Sequence, residues 1–367
     1  MYQHDERVVL TLDAGGTNFV FSAIQGCRQV VEPISIPAVT YDIEACLKTI
    51  AQGFEEVWSK TTSTPVAISF AFPGPADYER GIIGDAPNFP AFRGGVALGP
   101  YLQQRFNIPV FINNDGNLFA YGEALAGVLP KINSELQRRG GMRRYRNLLG
   151  VTIGTGFGGG VVIDGHLLRG DNGVGGDLYL MRDRANPEIM VEECVSIRAV
   201  KRHYAELSHD ESALEPKDIF EIAEGSRCGN REAAVESFRR VGSAAGDAIV
   251  RALNLIDGLA VIGGGVMGAS KYIMPAVLAE MRSKVQTLGG VGFDCMQSEV
   301  YDLDDEMELS GFLAEQDMMV EVPFSDEKVP YMPHRKVGVA VSGLGTSRAV
   351  ALGAYTYALS ELDKKIW

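Results

Sequence analysis

Residues 10–18 read LTLDAGGTN, and residues 148–160 read LLGVTIGTGFGGG. Each is an apolar run that breaks into a Gly- and Thr-rich turn. Each then becomes apolar again, as FVFSAI (19–24) and VVI (161–163). Paired glycines permit the backbone angles that a tight reversal needs, so each stretch predicts a strand, a turn and a second strand. The same element in both halves of the chain predicts two related α/β domains, with Gly-rich hairpins from the two sides meeting across a cleft.

Outward from the first hairpin, strands are expected at 8–13, 19–24, 66–72 and 109–113, and helices near 41–60, 97–106 and 115–126. KINSELQRRGGMRRYRN (131–147) reads as an exposed helix and loop. After the second hairpin a long helical region, roughly 192–258, leads into the strand-like LAVIGGG (259–265). AVALGAYTYALSEL (349–362) reads as a final amphipathic helix, and 290–335, with DLDDEMELS and several prolines, as an irregular inserted lobe or long loop. The expected division is 1–127, with the helix of 347–367 packing back on it, and 128–346 carrying the insertion.

The 367 residues are 46% hydrophobic with a net charge of -13, enough for two domains with a sizeable core. An acidic chain argues against nucleic acid as a partner, since such proteins carry a basic face. Cys27, Cys46, Cys194, Cys228 and Cys295 are odd in number and form no CxxC pair. That argues against a disulfide framework and fits a reducing cytoplasm. MYQHDERVVLTLD has acidic residues early and no long apolar stretch, so no signal peptide is expected. No run approaches a membrane span.

Gly-rich turns expose backbone N–H groups that can point at an anion. Three are candidates: DAGGTN (13–18), GTGFGGG (154–160) and GGGVMG (263–268). GxxxxGK[ST] is absent, so this is not a P-loop. A literal GxGxxG occurs at Gly154/Gly156/Gly159, where a strand follows, and at Gly263/Gly265/Gly268, where a strand precedes and a helix follows. The second leaves a nicotinamide-dependent oxidoreductase open, though it explains neither hairpin. Asp13, at the end of a strand beside the first turn, could hold the hydrated Mg2+ that accompanies a triphosphate, or could cap the turn.

FINNDGNLFAYGEALAG (111–127) reads as a strand, then Asn-Asn-Asp, then a helix. Asp115 could take the proton from an attacking hydroxyl while metal and backbone dipoles stabilise a phosphoryl group, or it could cap the helix. Side-chain amides beside it suit sugar hydroxyls. SFAFPGPAD (69–77) and APNFP (86–90) add Pro/Gly loops and another amide, Asn88.

In this order, LDAGGTN, AFPGPAD, APNFP, INNDGN, GTGFGGG and IGGGV resemble the ROK family of sugar kinases. That family holds glucokinases, fructokinases and N-acetylhexosamine kinases, along with transcriptional repressors. The resemblance covers roughly 8–200 and 240–280 plus the last helix. It implies a two-domain actin-like ATPase fold (ribonuclease H-like, hexokinase/ROK) with a central cleft, ATP on one side and sugar deep inside. Carried over, Asp13, Gly15, Gly16, Thr17 and Asn18 form the first phosphate motif, with Mg2+ held by Asp13 through water. Gly154, Thr155 and Gly156 form the second. Gly263, Gly264 and Gly265 lie near the adenosine. Gly74, Asn88, Asn114 and Asp115 contact the sugar, with Asp115 as the base. The resemblance also implies a homodimer.

The chain departs from the family where GxxGExGH precedes a CxCGxxGCxE zinc motif. Here the first part reads GVGGDLYL (173–180), so Asp177 replaces the Glu, Tyr179 the Gly and Leu180 the zinc-binding His. MRDRANPEIMVEECVSIRAV (181–200) follows without the cysteines, so no structural zinc is expected. The motif's final Glu is kept as Glu192, with Glu193 the near alternative. Asp177 and Glu192 would frame the sugar's anomeric side. The expected activity is ATP-dependent phosphorylation of a hexose or hexose derivative at O6. The alternative is a sugar-binding sensor with weak or no catalysis. Family repressors carry an N-terminal helix-turn-helix, and with a first strand starting near residue 8 none is expected here.

Overall fold

The computed structural model describes residues 2–15, 17–86, 89–314 and 318–364. Gly16 and Asn88 lie outside the described residues. In chain order the strands and α-helices are β1 (Val9–Ala14), β2 (Asn18–Gln25), β3 (Arg28–Pro37), α1 (Ile43–Ser59), β4 (Ala67–Ala71), β5 (Ala76–Asp77), β6 (Ile82–Ile83), α2 (Leu98–Phe106), β7 (Val110–Asn113), α3 (Asp115–Ala126) and α4 (Val128–Arg138). There follow β8 (Leu148–Ile153), β9 (Phe157–Ile163), β10 (His166–Leu167), α5 (Ile197–Ser208), α6 (Pro216–Glu224), α7 (Arg231–Ile256), β11 (Leu259–Gly263) and α8 (Ser270–Met281). The chain continues through β12 (Lys284–Gln286), β13 (Gly292–Asp294), β14 (Glu299–Asp302), α9 (Glu306–Leu313), β15 (Met318–Glu321), β16 (Lys328–Tyr331), β17 (Lys336–Val341) and α10 (Thr346–Lys364).

The chain divides into two units. The first comprises Met1–Pro130, Gly160–Gly176 and Gly343–Trp367, and the second Lys131–Gly159 and Asp177–Ser342. The first unit is built on a sheet of order β3-β2-β1-β4-β7. β1 pairs antiparallel with β2 and parallel with β4, and β4 pairs parallel with β7. Central strands covered on both faces need no polar alternation, and β1 is buried from Val9 to Leu12. One sheet face packs an aromatic block against α1, with Phe21 and Phe54 edge-to-face at 5.2 Å and Phe54 against Phe70 at 5.8 Å. Burying each such ring contributes about 1.5–3 kcal/mol. The other face meets α10, where Leu352, Tyr355, Ala358 and Leu359 pack with Val9, Ile24 and Ala67.

Helices α3 and α10 touch backbone to backbone. A Cβ on Gly122 would lie 2.0 Å from the Ala349 carbonyl oxygen, and one on Gly353 would lie 1.8 Å from that of Leu118. Only glycine fits at either crossing point, so the chain's last helix fixes the helix that begins at Asp115.

The second sheet runs β10-β9-β8-β11-β17-β14. β11 pairs parallel with both β8 and β17, and β17 with β14. Its first five strands repeat the order of the first sheet: a hairpin strand and its neighbour, the leading strand, then two parallel additions. The repeat predicted from two hairpins therefore extends to five strands of each sheet, with β14 added at the edge of the second.

Two expectations need correction. The region 192–258 is three helices, broken at His209 and Gly225, both in the left-handed region (φ 57° and 77°). The segment 290–335 is not irregular throughout, because it contains β14 and α9. Its acidic run is a helix start: Asp305 caps α9 by accepting from the N–H groups of Met307 and Glu308, both at 2.9 Å. Val300 in β14 is buried opposite Val337 in β17.

Candidate active site

In the first unit, Asp13 stands at the exposed end of β1, opposite Val20 of β2 and Ala71 of β4. The turn beyond it closes through the Gly15 N–H, which donates to the Asn18 carbonyl at 3.1 Å. Thr17 accepts from Ala38 N–H at 2.9 Å through its own carbonyl, and the side chains of Thr17 and Asn18 are exposed. Burial pushes the Asp13 carboxyl above the ordinary aspartate range, and the charge of Asp115 pushes it further. The two carboxylates therefore share one neighbourhood, at the ends of parallel strands separated only by β4.

Asp115 itself does not cap α3. Asn114 does: its Oδ1 accepts from Asn117 N–H at 2.6 Å. That engages Asn114's acceptor and leaves its amide nitrogen as the group it could offer a ligand. Asp115 is exposed at the first helical position and accepts from Gly116 N–H at 2.9 Å. Gly74 lies where a Cβ would come 3.0 Å from the Tyr78 hydroxyl, which is tied to the Phe72 carbonyl at 2.9 Å. Phe89, the aromatic residue of APNFP, is buried between Phe72 at 4.8 Å and Phe92 at 5.9 Å.

In the second unit the Gly154 N–H donates to the Gly156 carbonyl at 2.9 Å, closing the second turn. This turn is pinned from below. Ile197 N–H donates to the Gly154 carbonyl at 2.8 Å, and the Arg198 guanidinium to the Thr155 carbonyl at 3.0 Å. Glu192 accepts from Phe157 N–H at 3.0 Å and from Arg198 at 3.2 Å, and Glu193 accepts from Arg198 at 3.0 Å. A Cβ on Gly156 would fall 2.4 Å from a Glu192 carboxylate oxygen. Glu192 is thus brought against the second glycine turn. Arg198, which holds both glutamates and the turn, went unnoticed in the sequence. Its only signal was a basic residue six and five positions after Glu192 and Glu193. Asp177 is half-buried, and burial raises its carboxyl pKa.

The third glycine run adjoins the second. Gly263 pairs with Thr152 in the parallel β11–β8 ladder. Gly264 sits at φ +102°, where a Cβ would meet the Ile153 carbonyl oxygen at 2.1 Å. The run enters a single 3-10 turn, Gly265–Ala269, before α8. The second and third turns therefore present their backbones side by side at one end of the second sheet.

Hard carboxylate oxygens at Asp13 and Asp115 suit a hydrated Mg2+. Burial and the Asp115 charge both disfavour the ionised Asp13 carboxyl, and a divalent cation would offset both, so the residues fit that ion. Among the described residues no three His, Cys, Asp or Glu side chains are grouped to hold a metal by themselves. Nor is any described helix long and apolar enough to cross a membrane.

The model of the ROK family matches residues 9–291. A crystal structure of a glucokinase from Parabacteroides distasonis is 57% identical, with a TM-score of 0.90 over 98% of this chain and 99% of that one. A glucokinase from Thermotoga maritima is 27% identical over 290 residues, 72% of this chain and 84% of that protein. A xylose repressor from Bacillus spizizenii is 24% identical over 210 residues, 56% of this chain and 50% of that protein.

Proposed function

The chain belongs to the ROK family and has its two-domain actin-like ATPase fold, and from that premise we propose that it is a sugar kinase, transferring the γ-phosphoryl group of ATP to O6 of a hexose or hexose derivative. The observation that carries this reading is the exposed Asp115 carboxylate, next to a capping amide and in electrostatic contact with Asp13.

In the proposed reaction Asp115 accepts the proton of the sugar hydroxyl. The hydroxyl oxygen bonds to the γ-phosphorus, the bond from γ-phosphorus to the β,γ-bridging oxygen breaks, and ADP leaves with that electron pair. The turn of Gly15, Gly16, Thr17 and Asn18 serves the phosphates, as does that of Gly154, Thr155 and Gly156. Gly263, Gly264 and Gly265 serve the adenosine. Gly74, Asn88, Asn114, Asp177 and Glu192 serve the sugar. Mg2+, held by Asp13 through water, would supply positive charge to the β- and γ-phosphates. Asp177 is one methylene shorter than the family's glutamate, which favours a bulkier sugar or a bridging water at that contact.

Five free cysteines are consistent with a reducing, cytoplasmic setting, and a homodimer is proposed from the family resemblance. An ADP-release assay with ATP, Mg2+ and a panel of glucose, fructose, mannose, allose, N-acetylglucosamine and N-acetylmannosamine tests the activity. Sugar-dependent ADP formation is expected with at least one of them. The repressor match supports a second reading, a binding-only sensor. Thermal stabilisation by a sugar with no ADP formed from any of them would favour that reading.

A further inference from the structure

Two buried amides in the first unit lack part of their hydrogen bonding. Asn113, 2% exposed at the end of β7, and Asn117, 1% exposed in the first turn of α3, are joined by one bond, from Asn117 Nδ2 to Asn113 Oδ1 at 3.1 Å. Asn113 Nδ2 and Asn117 Oδ1 have no partner among the described residues. A buried polar atom left unpaired costs about 1–3 kcal/mol, so a donor and an acceptor orphaned side by side call for an explanation.

Both side chains line one cavity of about 370 Å3, within the size range of small-molecule sites. Its wall also carries Arg169, Asp171 and the Asp77–Arg80 ion pair. Arg169 is half-buried and donates to the Tyr357 hydroxyl at 3.3 Å. It meets no carboxylate at ion-pair distance among the described residues. An unpaired guanidinium and an orphaned amide donor suit a phosphate. An orphaned amide acceptor and the Asp171 carboxylate suit hydroxyl groups.

Asp115 and Asn117 are two positions apart in α3, which turns their side chains about 200° from one another round the axis. The cavity is therefore served from the opposite side of the helix to the proposed base. We propose that this cavity is a second ligand site that binds a sugar phosphate, the product class of the proposed kinase, and that its occupancy acts on Asp115 through the first turn of α3. The regulatory half rests on the sugar-kinase reading, and the binding half does not. Bound phosphate takes its charge-assisted bonds from Arg169, and the sugar hydroxyls complete Asn117. Both Asn113 and Asn117 flank the Asn114–Asp115 pair, so a ligand held by them disturbs the base without touching the acceptor sugar.

The test is calorimetric titration of the full chain with glucose 6-phosphate, with glucose and inorganic phosphate as separate controls. Wild type, Arg169→Ala, Arg169→Lys and Asp115→Ala are compared, each checked for an unchanged melting temperature. The expected result is saturable binding that survives saturating glucose plus a non-hydrolysable ATP analogue. It should weaken about tenfold or more in Arg169→Ala, less in Arg169→Lys, and not at all in Asp115→Ala. In turnover, added glucose 6-phosphate should lower kcat without raising KM for the sugar, and Arg169→Ala should keep the basal kcat while losing that inhibition. Absence of saturable binding, competition by glucose, or equal affinity in Arg169→Ala would overturn the proposal. Binding that follows the expected pattern in a protein that forms no ADP would keep the site and discard the kinase reading.

Discussion

Asp13 sits in the folded chain with a carboxyl pKa above the ordinary range, first from burial and then from the charge of Asp115. A carboxyl raised on folding binds its proton more readily in the native state. Its contribution is thus most favourable below the ordinary aspartate pKa and is lost as pH rises through the raised value. Asp13→Asn should therefore stabilise the ligand-free protein at pH 7, by less than about 1 kcal/mol because the residue is only partly shielded from solvent. The gain should shrink as pH falls and be lost near pH 3, below the ordinary aspartate pKa of about 3.9, where the carboxyl is protonated in both folded and unfolded chain. Melting curves of both proteins at the two pH values check this, and a lower melting temperature for the variant at pH 7 would contradict it. Gly264 offers a contrast with its neighbour. Gly264→Ala drives a Cβ into the Ile153 carbonyl from a strained backbone and should cost more than about 2 kcal/mol. Gly265→Ala meets open space and should stay within about 0.5 kcal/mol in chemical denaturation, so any loss of ATP affinity in it reports a ligand contact.

At the scale of elements, α3 is placed by α10 through Gly122 and Gly353. Gly353→Ala should push the helices apart, cost about 1–3 kcal/mol and lower kcat, because α3 carries Asp115. Denaturation midpoints and turnover measured together check it, and an unchanged midpoint would show that the helices yield freely. The local patterns that sequence can carry were those with a period or a turn residue. β1, β2, β4, β7, α1, α2, α3, β8, β11 and α10 all lie where apolar patterns and turn residues placed them. Elements whose evidence is nonlocal were missed. β14 is only four residues long and needs Val337 of β17 to bury Val300. Asp305 looked like part of an acidic loop because a single cap resembles any other aspartate in a charged run. The cap that the sequence offered at Asp115 is made one position earlier by Asn114, which only geometry shows.

For the molecule as a whole, one sheet order is used twice, with different ends. The first sheet ends in the carboxylates of Asp13 and Asp115, and the second in two adjacent glycine turns, of which that of Gly154–Gly156 is braced by Arg198. Only the first hairpin carries an aspartate, so the carboxylates gather on one sheet and the second presents backbone. The motif order in the sequence made the family legible, since six short stretches matched in series. The packing of Gly160–Gly176 with residues far away in the chain was not legible, because no local pattern marks it. The central claim is that this fold transfers phosphate to a sugar with Asp115 as the base. The most direct measurement is kcat for sugar-dependent ADP release by wild type and Asp115→Ala in parallel, with ATP affinity read by titration. The account predicts a loss of about 10²–10⁴ in kcat with ATP affinity retained. Turnover in Asp115→Ala close to that of the wild type would contradict it.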